Sequence, residues 1–372
     1  MRIRNRKALL CLSSAIMLVG LALFSFEPLP QDTQAGIMLP GASGTPAPAT
    51  SKPSPTPKAT GVPDPTNTGT PTPTATSTPT PTNTPTPTNT PTPTPSPTPT
   101  PSLAEINAAL PLLSLTEESN ATFYQAATEY VRSLYADNPE VKELNNFTCY
   151  YKDGIVYPYL LYVSYDITYK NSVVPMPALD VFFVYFEDEQ YRLTSETENT
   201  DVQEALLLSR ATGDVLDLYL KETIRRYMNA KLAGNEEILS SLVTDSSSLN
   251  YDDILKKQEF IESYDILGYL IHECPDYVTE FDYIVYVVND VHIINLGILP
   301  GLDGLMISLD ENNDPQIFFG VISDTTEQFI EASKASEDYL QVSDEVTSRF
   351  FEALTNDPEL NEFVERLMGI TE

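Results

Sequence analysis

From residue 103 onward the spacing of apolar residues switches between two periods. Phe123, Ala127, Val131 and Leu134 recur every three to four positions, as on one helix face, and predict a helix near Ala121–Asp137 that Asn138-Pro139 ends. A short amphipathic piece, Ala104–Leu113, precedes it, and a second short helix is expected through Leu144. The pattern then becomes strand-like, rich in Tyr, Val and Phe, near Phe147–Val156, Tyr159–Lys170, Ala178–Glu187 and Tyr191–Ser195. Helical spacing returns at Val202–Lys231 and Glu236–Val243. Strands follow near Asp265–Glu273, Tyr277–Ile294, Leu302–Leu309 and Gln316–Ile322, then helices near Thr326–Leu354 and Pro358–Met368.

The two strand groups match each other. Tyr162-Val163, Asp166-Ile167 and Asn171 correspond to Tyr286-Val287, Asp290-Val291 and Asn295, all at an offset of 124. Pro177, Leu179 and Asp180 correspond to Pro300, Leu302 and Asp303, one residue out of step. The following helices return to 124, with Ser209, Ala211 and Asp214 against Ser333, Ala335 and Asp338. Asn138-Pro139 and Asp357-Pro358 each follow a helix. By alternation Val163, Ile167, Val287 and Val291 should face a core, with Asp166 and Asp290 on an opposite, solvated face.

The first hundred residues follow neither period. Pro40–Ser102 alternates Thr and Pro, holds 20 of the 31 prolines and lacks Leu, Ile, Phe and Tyr. Proline fixes φ and has no donor N–H, so this stretch is a stiff, disordered polyproline-II linker, with a reach on the order of 190 Å. It resembles the spacers of exported bacterial surface proteins; a glycosylated stalk is the alternative. Ahead of it, Arg2, Arg4, Arg6 and Lys7 precede the 19-residue apolar run Ala8–Phe26. The run is long for a signal peptide and lacks a small-x-small site directly after it. It reads as an uncleaved, single-pass signal anchor, with a cleaved signal as the alternative; either places the remainder outside the cell membrane. The expected segments are 1–39 for tip and anchor, 40–102 for the linker, 103–200 for the first unit and 201–372 for the second.

Charge narrows the partners. Residues 103–372 carry 15 Lys and Arg against 50 Asp and Glu. Such a field repels nucleic acid and anionic lipid and favours solubility. The three cysteines are Cys11 in the apolar run, Cys149 and Cys274, so one disulfide is possible. Two His and no familiar ligand spacing argue against zinc, and no cofactor is expected.

A helix pair followed by an antiparallel meander, about 125 residues per unit, resembles the NTF2-like (cystatin-like) superfamily. The resemblance rests on element order and size over Ala121–Ile322. It implies an α+β fold of two tandem units, each a curved sheet around a helix with a conical pocket. The extra C-terminal helix pair departs from it. Family members that are isomerases or dehydratases place carboxylates and His in such pockets. On that analogy Asp290 and His292, on one strand face, are a candidate acid/base pair, although Thr168 stands where the second copy has His292.

Other candidates have plainer readings. Asp310, Asn312 and Asp314 have the opening spacing of a calcium loop, but Pro315 occupies the glycine position and Val321 the terminal glutamate position, which suits a polar turn. Asp180 and Asp303 suit turn-capping. Tyr150, Tyr151, Tyr157, Tyr159, Tyr162, Tyr165 and Tyr169 could form a sugar- or peptide-binding row or simply pack across strands. The sequence favours a non-catalytic, membrane-anchored binding protein for a small molecule or surface protein. An enzyme using Asp290 and His292, or a structural part of the envelope, are the alternatives.

Overall fold

The computed structural model describes residues 100–153, 158–211, 213–275 and 279–368. The expected anchor Ala8–Phe26, the linker through residue 99, and Tyr157 lie outside the described residues. The chain is mixed α+β. It runs α1 (Leu103–Ala108), β1 (Leu113–Leu115), α2 (Glu117–Leu134), β2 (Val141–Lys152), β3 (Tyr159–Tyr169), β4 (Met176–Glu187), β5 (Gln190–Thr194), α3 (Thr200–Arg210), α4 (Gly213–Ala233) and α5 (Glu236–Ser241). Then come α6 (Tyr251–Gln258), β6 (Ile261–Glu273), β7 (Tyr283–Ile293), β8 (Ile298–Leu309), β9 (Pro315–Ile317), α7 (Asp324–Lys334), α8 (Glu337–Asn356) and α9 (Pro358–Leu367). Two antiparallel meanders result, ordered β1-β2-β3-β4-β5 and β6-β7-β8-β9. Among the described residues no helix is long and apolar enough to cross a membrane.

Local chemistry explains most boundaries. Ser102, Thr116, Asn199, Asn235, Asn250, Ser323 and Ser336 cap helix N-termini through their side chains. Asn120 breaks α2 at φ −159°, and its Oδ1 accepts from the Phe123 N–H at 3.1 Å, so the continuous helix begins at Ala121, the expected start. Gly213, at φ +62°, separates α3 from α4 where one helix was expected, and the Ser336 cap does the same between α7 and α8. The helix expected through Leu144 is instead the start of β2. A bulge between Asn145 and Thr148, with Asn146 at φ +54°, disguises its alternation. The strand expected at Gln316–Ile322 shortens to β9, and α6 has no counterpart in the periodicity reading.

The positions that match at these offsets pair alike in the two sheets. Asp166 faces Pro177 and Val163 faces Asp180 across β3–β4; Asp290 faces Pro300 and Val287 faces Asp303 across β7–β8. The helices α3 and α4 begin 124 residues before α7 and α8.

The layers alternate. Val163, Tyr165 and Ile167 pack with Phe123, Ala127 and Val131 of α2. The opposite face of the same strand, Leu160 and Tyr162, packs with Val215 and Tyr219 of α4. Leu220, Ile224 and Tyr227, also on α4, pack with Val285 and Val287 of the second sheet. That sheet's outer face, Ile284 and Tyr286, meets Tyr339 of α8. The order is therefore α2, first sheet, α4, second sheet, α8, with α4 shared by both repeats. This corrects the expected solvated face: both central strands are covered on both sides. Val163, Val287 and Val291 are fully buried and Ile167 nearly so, as alternation required, yet Asp166 is buried too.

Candidate functional site

A carboxylate on a covered sheet face needs a partner. Arg225 on α4 donates to Asp166 at 2.8 Å, and Asn146, in the bulge, donates to the other oxygen at 2.7 Å. Arg225 also grips Glu222 at 2.7 and 2.9 Å. Burial raises the Glu222 carboxyl above its usual range. In the second repeat Arg349 on α8 donates to both oxygens of Asp290 at 2.5 and 2.7 Å. Arg225 and Arg349 are 124 apart, as are the two aspartates, so the helix-to-sheet ion pair is itself repeated. This signal was present in the sequence, on the helices rather than the strands.

These pairings fix the fate of the candidate acid/base pair. Both oxygens of Asp290 are engaged by Arg349. His292 Nε2 lies 2.8 Å from Asp265 Oδ2, across β6, rather than from Asp290. Asp290 and His292 share a strand face as expected but serve separate partners, and neither lines a described cavity.

The other candidates are structural. Asp310 Oδ1 accepts from the N–H groups of Asn312 and Asp314 at 2.8 and 2.9 Å, which makes the β8–β9 connection an aspartate-capped turn. Among the described residues no cluster of His, Cys, Asp and Glu suits a metal ion. Asp303 and Asp180 do not cap turns: Asp180 accepts from Tyr165 Oη at 2.5 Å and Asp303 from Asn289 Nδ2 at 2.8 Å, inside the two sheets. Tyr162 and Tyr165 are wholly buried, and Tyr150, Tyr151, Tyr159 and Tyr169 join the cores, so the tyrosine row is packing. Cys149 and Cys274 are buried free thiols.

A cavity lies elsewhere, with walls from both halves of the described residues. It is a cleft of about 820 Å³. β4 supplies one wall, α3 and α4 a second, and the β8–β9 turn with the end of α5 a third. Sequence reading did not find it, because its walls come from both repeats and none carries a motif. Two arginines stand in it. Arg210 donates to Asp314 at 3.1 Å and lies 5.0 Å from the centre of the Tyr219 ring. Burial beside that guanidinium still pushes the Tyr219 hydroxyl up, to about 12. Arg226 has no carboxylate partner among the described residues, and the Nε atoms of both arginines are shielded from water without an acceptor. Gln203, Thr223 and Gln316 add uncharged polar groups to the lining.

The chain matches no family model, no curated protein and no solved structure.

Proposed function

We propose that this protein is a non-catalytic binding module, displayed outside the cell on an N-terminal anchor and a Thr-Pro linker, whose inter-repeat cleft takes a small polar ligand bearing an anionic group. The observation that carries this reading is Arg226, a guanidinium without a carboxylate partner among the described residues, facing a cleft of about 820 Å³. The lining also carries Asp180, Glu196, Glu222, Asp310 and Asp314; Arg225 and Arg210 hold Glu222 and Asp314, and Arg226, without a carboxylate partner among the described residues, is left to meet an anionic group. Tyr219 and Arg210 offer a flat cationic-aromatic surface beside it. The helix-pair-and-meander order supports two NTF2-like units, with the ligand between them rather than in either cone.

The test is a ligand screen on the full-length protein in detergent, following its thermal transition with small carboxylates, phosphates and neutral sugars. Carboxylates or phosphates should raise the transition, and Arg226→Gln should abolish the rise while leaving the unliganded transition near the wild-type value. Stabilisation by neutral sugars alone, or by anions equally in Arg226→Gln, would overturn the assignment.

A further inference from the structure

A serine, a histidine and an aspartate meet where α7 turns into α8, and none of them lines the cleft. Ser333 is the last residue but one of α7, His272 the last but one of β6, and Asp338 stands in the first turn of α8. His272 Nδ1 lies 2.7 Å from Ser333 Oγ, and its Nε2 lies 3.2 Å from Asp338 Oδ2. Hydrogen bonds from Ser336, the Tyr339 N–H and His272 hold the Asp338 carboxyl below its usual range, at the positive end of α8. An ionised carboxylate only accepts, so Nε2 carries the imidazole hydrogen and gives it to Asp338. Nδ1 is then the lone-pair nitrogen, and the Ser333 hydroxyl donates to it. Tyr286 Oη lies 3.1 Å from the same hydroxyl oxygen.

The corresponding place in the first sheet shows a version without this chemistry. Leu160 faces Lys152 across β2–β3 as Ile284 faces His272 across β6–β7. Ser209 and Asp214 precede Ser333 and Asp338 by 124. Lys152 is buried and donates to the Ala108 carbonyl, while Ser209 donates to the Ala205 carbonyl of its own helix at 2.6 Å. An ammonium has no lone pair, so Lys152 cannot take a proton from a serine. The second sheet puts an imidazole in that place, and its serine turns to the imidazole.

We infer that Ser333 is an acyl-accepting serine, modified by small esters, with His272 as its base and Asp338 as the positioning residue for the imidazole. The Ser333 Oγ–H bond breaks as Oγ adds to the ester carbonyl carbon, and the proton passes to His272 Nδ1. The tetrahedral oxyanion then collapses and the bond to the leaving alkoxide breaks. Nδ1 returns the proton to that alkoxide, and an alcohol departs. No co-reactant is consumed. Exposure sets the size of the acyl group. Ser333 is 8% exposed and the His272 side chain 16%, the Asp338 side chain is 53% exposed, and none of the three lines a described cavity. Only a short acyl group such as acetyl reaches Oγ. Once there it is shielded from water, so the ester persists and the protein is modified rather than turned over.

The probe is p-nitrophenyl acetate, added to the full-length protein in detergent at about pH 8, where an ordinary imidazole is neutral. Nitrophenolate release gives the rate, and mass spectrometry of a tryptic digest locates the acetyl group. Ser333 should take up acetyl and retain it in the native protein, but not in the urea-unfolded chain. His272→Gln, with its thermal transition near the wild-type value, should acetylate Ser333 about a hundredfold more slowly. Asp338→Asn should slow the reaction and Asp338→Glu should recover part of the rate, whereas a merely structural Asp338 would move the thermal transition and not the rate. Acetyl groups on lysines alone would overturn the assignment, as would Ser333 acetylated equally fast in the unfolded chain. A folded His272→Gln protein acetylated at Ser333 at the wild-type rate would remove His272 from the chemistry.

Discussion

The two repeats keep one feature and exchange another. Both hold a helix against the outer face of their sheet through an arginine–aspartate pair, Arg225–Asp166 in the first and Arg349–Asp290 in the second. Both also carry a half-buried aspartate on the inner face, Asp180 or Asp303. The partners of the inner aspartate differ: two tyrosine hydroxyls in the first repeat, an asparagine beside a lysine in the second. The outer pair is where the next helix docks, so its geometry is set by the layering and repeats with it. The inner group has only to fill space and satisfy its own hydrogen bonds, and it is free to diverge. Position in the stack also matters. The first repeat is covered by α4, which itself lies under the second sheet. The Asp166 side chain is accordingly 5% exposed and Asp290 16%.

The largest test of this comparison is Val287→Asp. Val287 is wholly buried between the second sheet and α4, so the exchange loses apolar burial and buries a charge, at a cost of several kcal/mol. Because α4 also carries the first sheet, both repeats should lose protection together in hydrogen exchange, in a single transition. A first repeat that stays protected in Val287→Asp would separate the two and break the shared-core picture.

Next in size are the outer ion pairs. Arg225→Met strands Asp166 and Glu222, whose side chains are 5% and 12% exposed, and should cost about 3–5 kcal/mol in urea unfolding. Arg349→Met strands only the more exposed Asp290 and should cost about 1–3 kcal/mol. Equal losses at the two sites would mean that position in the stack does not set their energetics. The Glu222 carboxyl adds a pH signature to the first site. Its folded pKa lies above the unfolded value, so its contribution to stability is full below the unfolded pKa and is lost as pH rises through the folded one.

The sequence carried the mixed α+β class, most strand positions and the inward valines, because these follow from period alone. It misplaced the outer face. Alternation shows that Asp166 and Asp290 oppose the core, but not that a later helix covers that side; the clue was a second offset of 124, between Arg225 and Arg349. The cleft was illegible because Arg210, Arg226 and Gln316 meet only after both repeats have folded. Lys231 was legible in principle as a charge on the stripe Leu220, Ile224 and Tyr227, but a stripe is usually judged by its apolar members.

Smaller is the effect expected at the two thiols, one in each repeat. Burial pushes Cys149 and Cys274 each up to about 12. At pH 8 the folded protein should hold about a thousandfold less thiolate than an exposed cysteine, and both residues should alkylate rapidly only in denaturant. The sign for stability follows. Both thiols favour the folded state below the unfolded pKa near 9 and lose that contribution as pH rises toward 12. Fast native labelling of one cysteine alone would show that its repeat opens independently.

The smallest effect belongs to His292, where the repeats differ without consequence for the core. Thr168 is its counterpart in the first copy, and Asn145, across from Asp166, is the counterpart of Asp265. The His292–Asp265 contact of 2.8 Å therefore exists in the second repeat only. The Asp265 side chain is 62% exposed, so solvent and salt screen the attraction. Both residues sit in strands already fixed by ladder pairing and by the Arg349–Asp290 pair beside them. His292→Gln and Asp265→Asn should each change unfolding free energy by less than about 0.5 kcal/mol, and the double variant should equal their sum within about 0.3 kcal/mol. The same variants should leave anion stabilisation in the cleft untouched. A loss of ligand response in His292→Gln, with stability unchanged, would move the binding site from the cleft to this strand face and revive Asp290 and His292 as a functional pair.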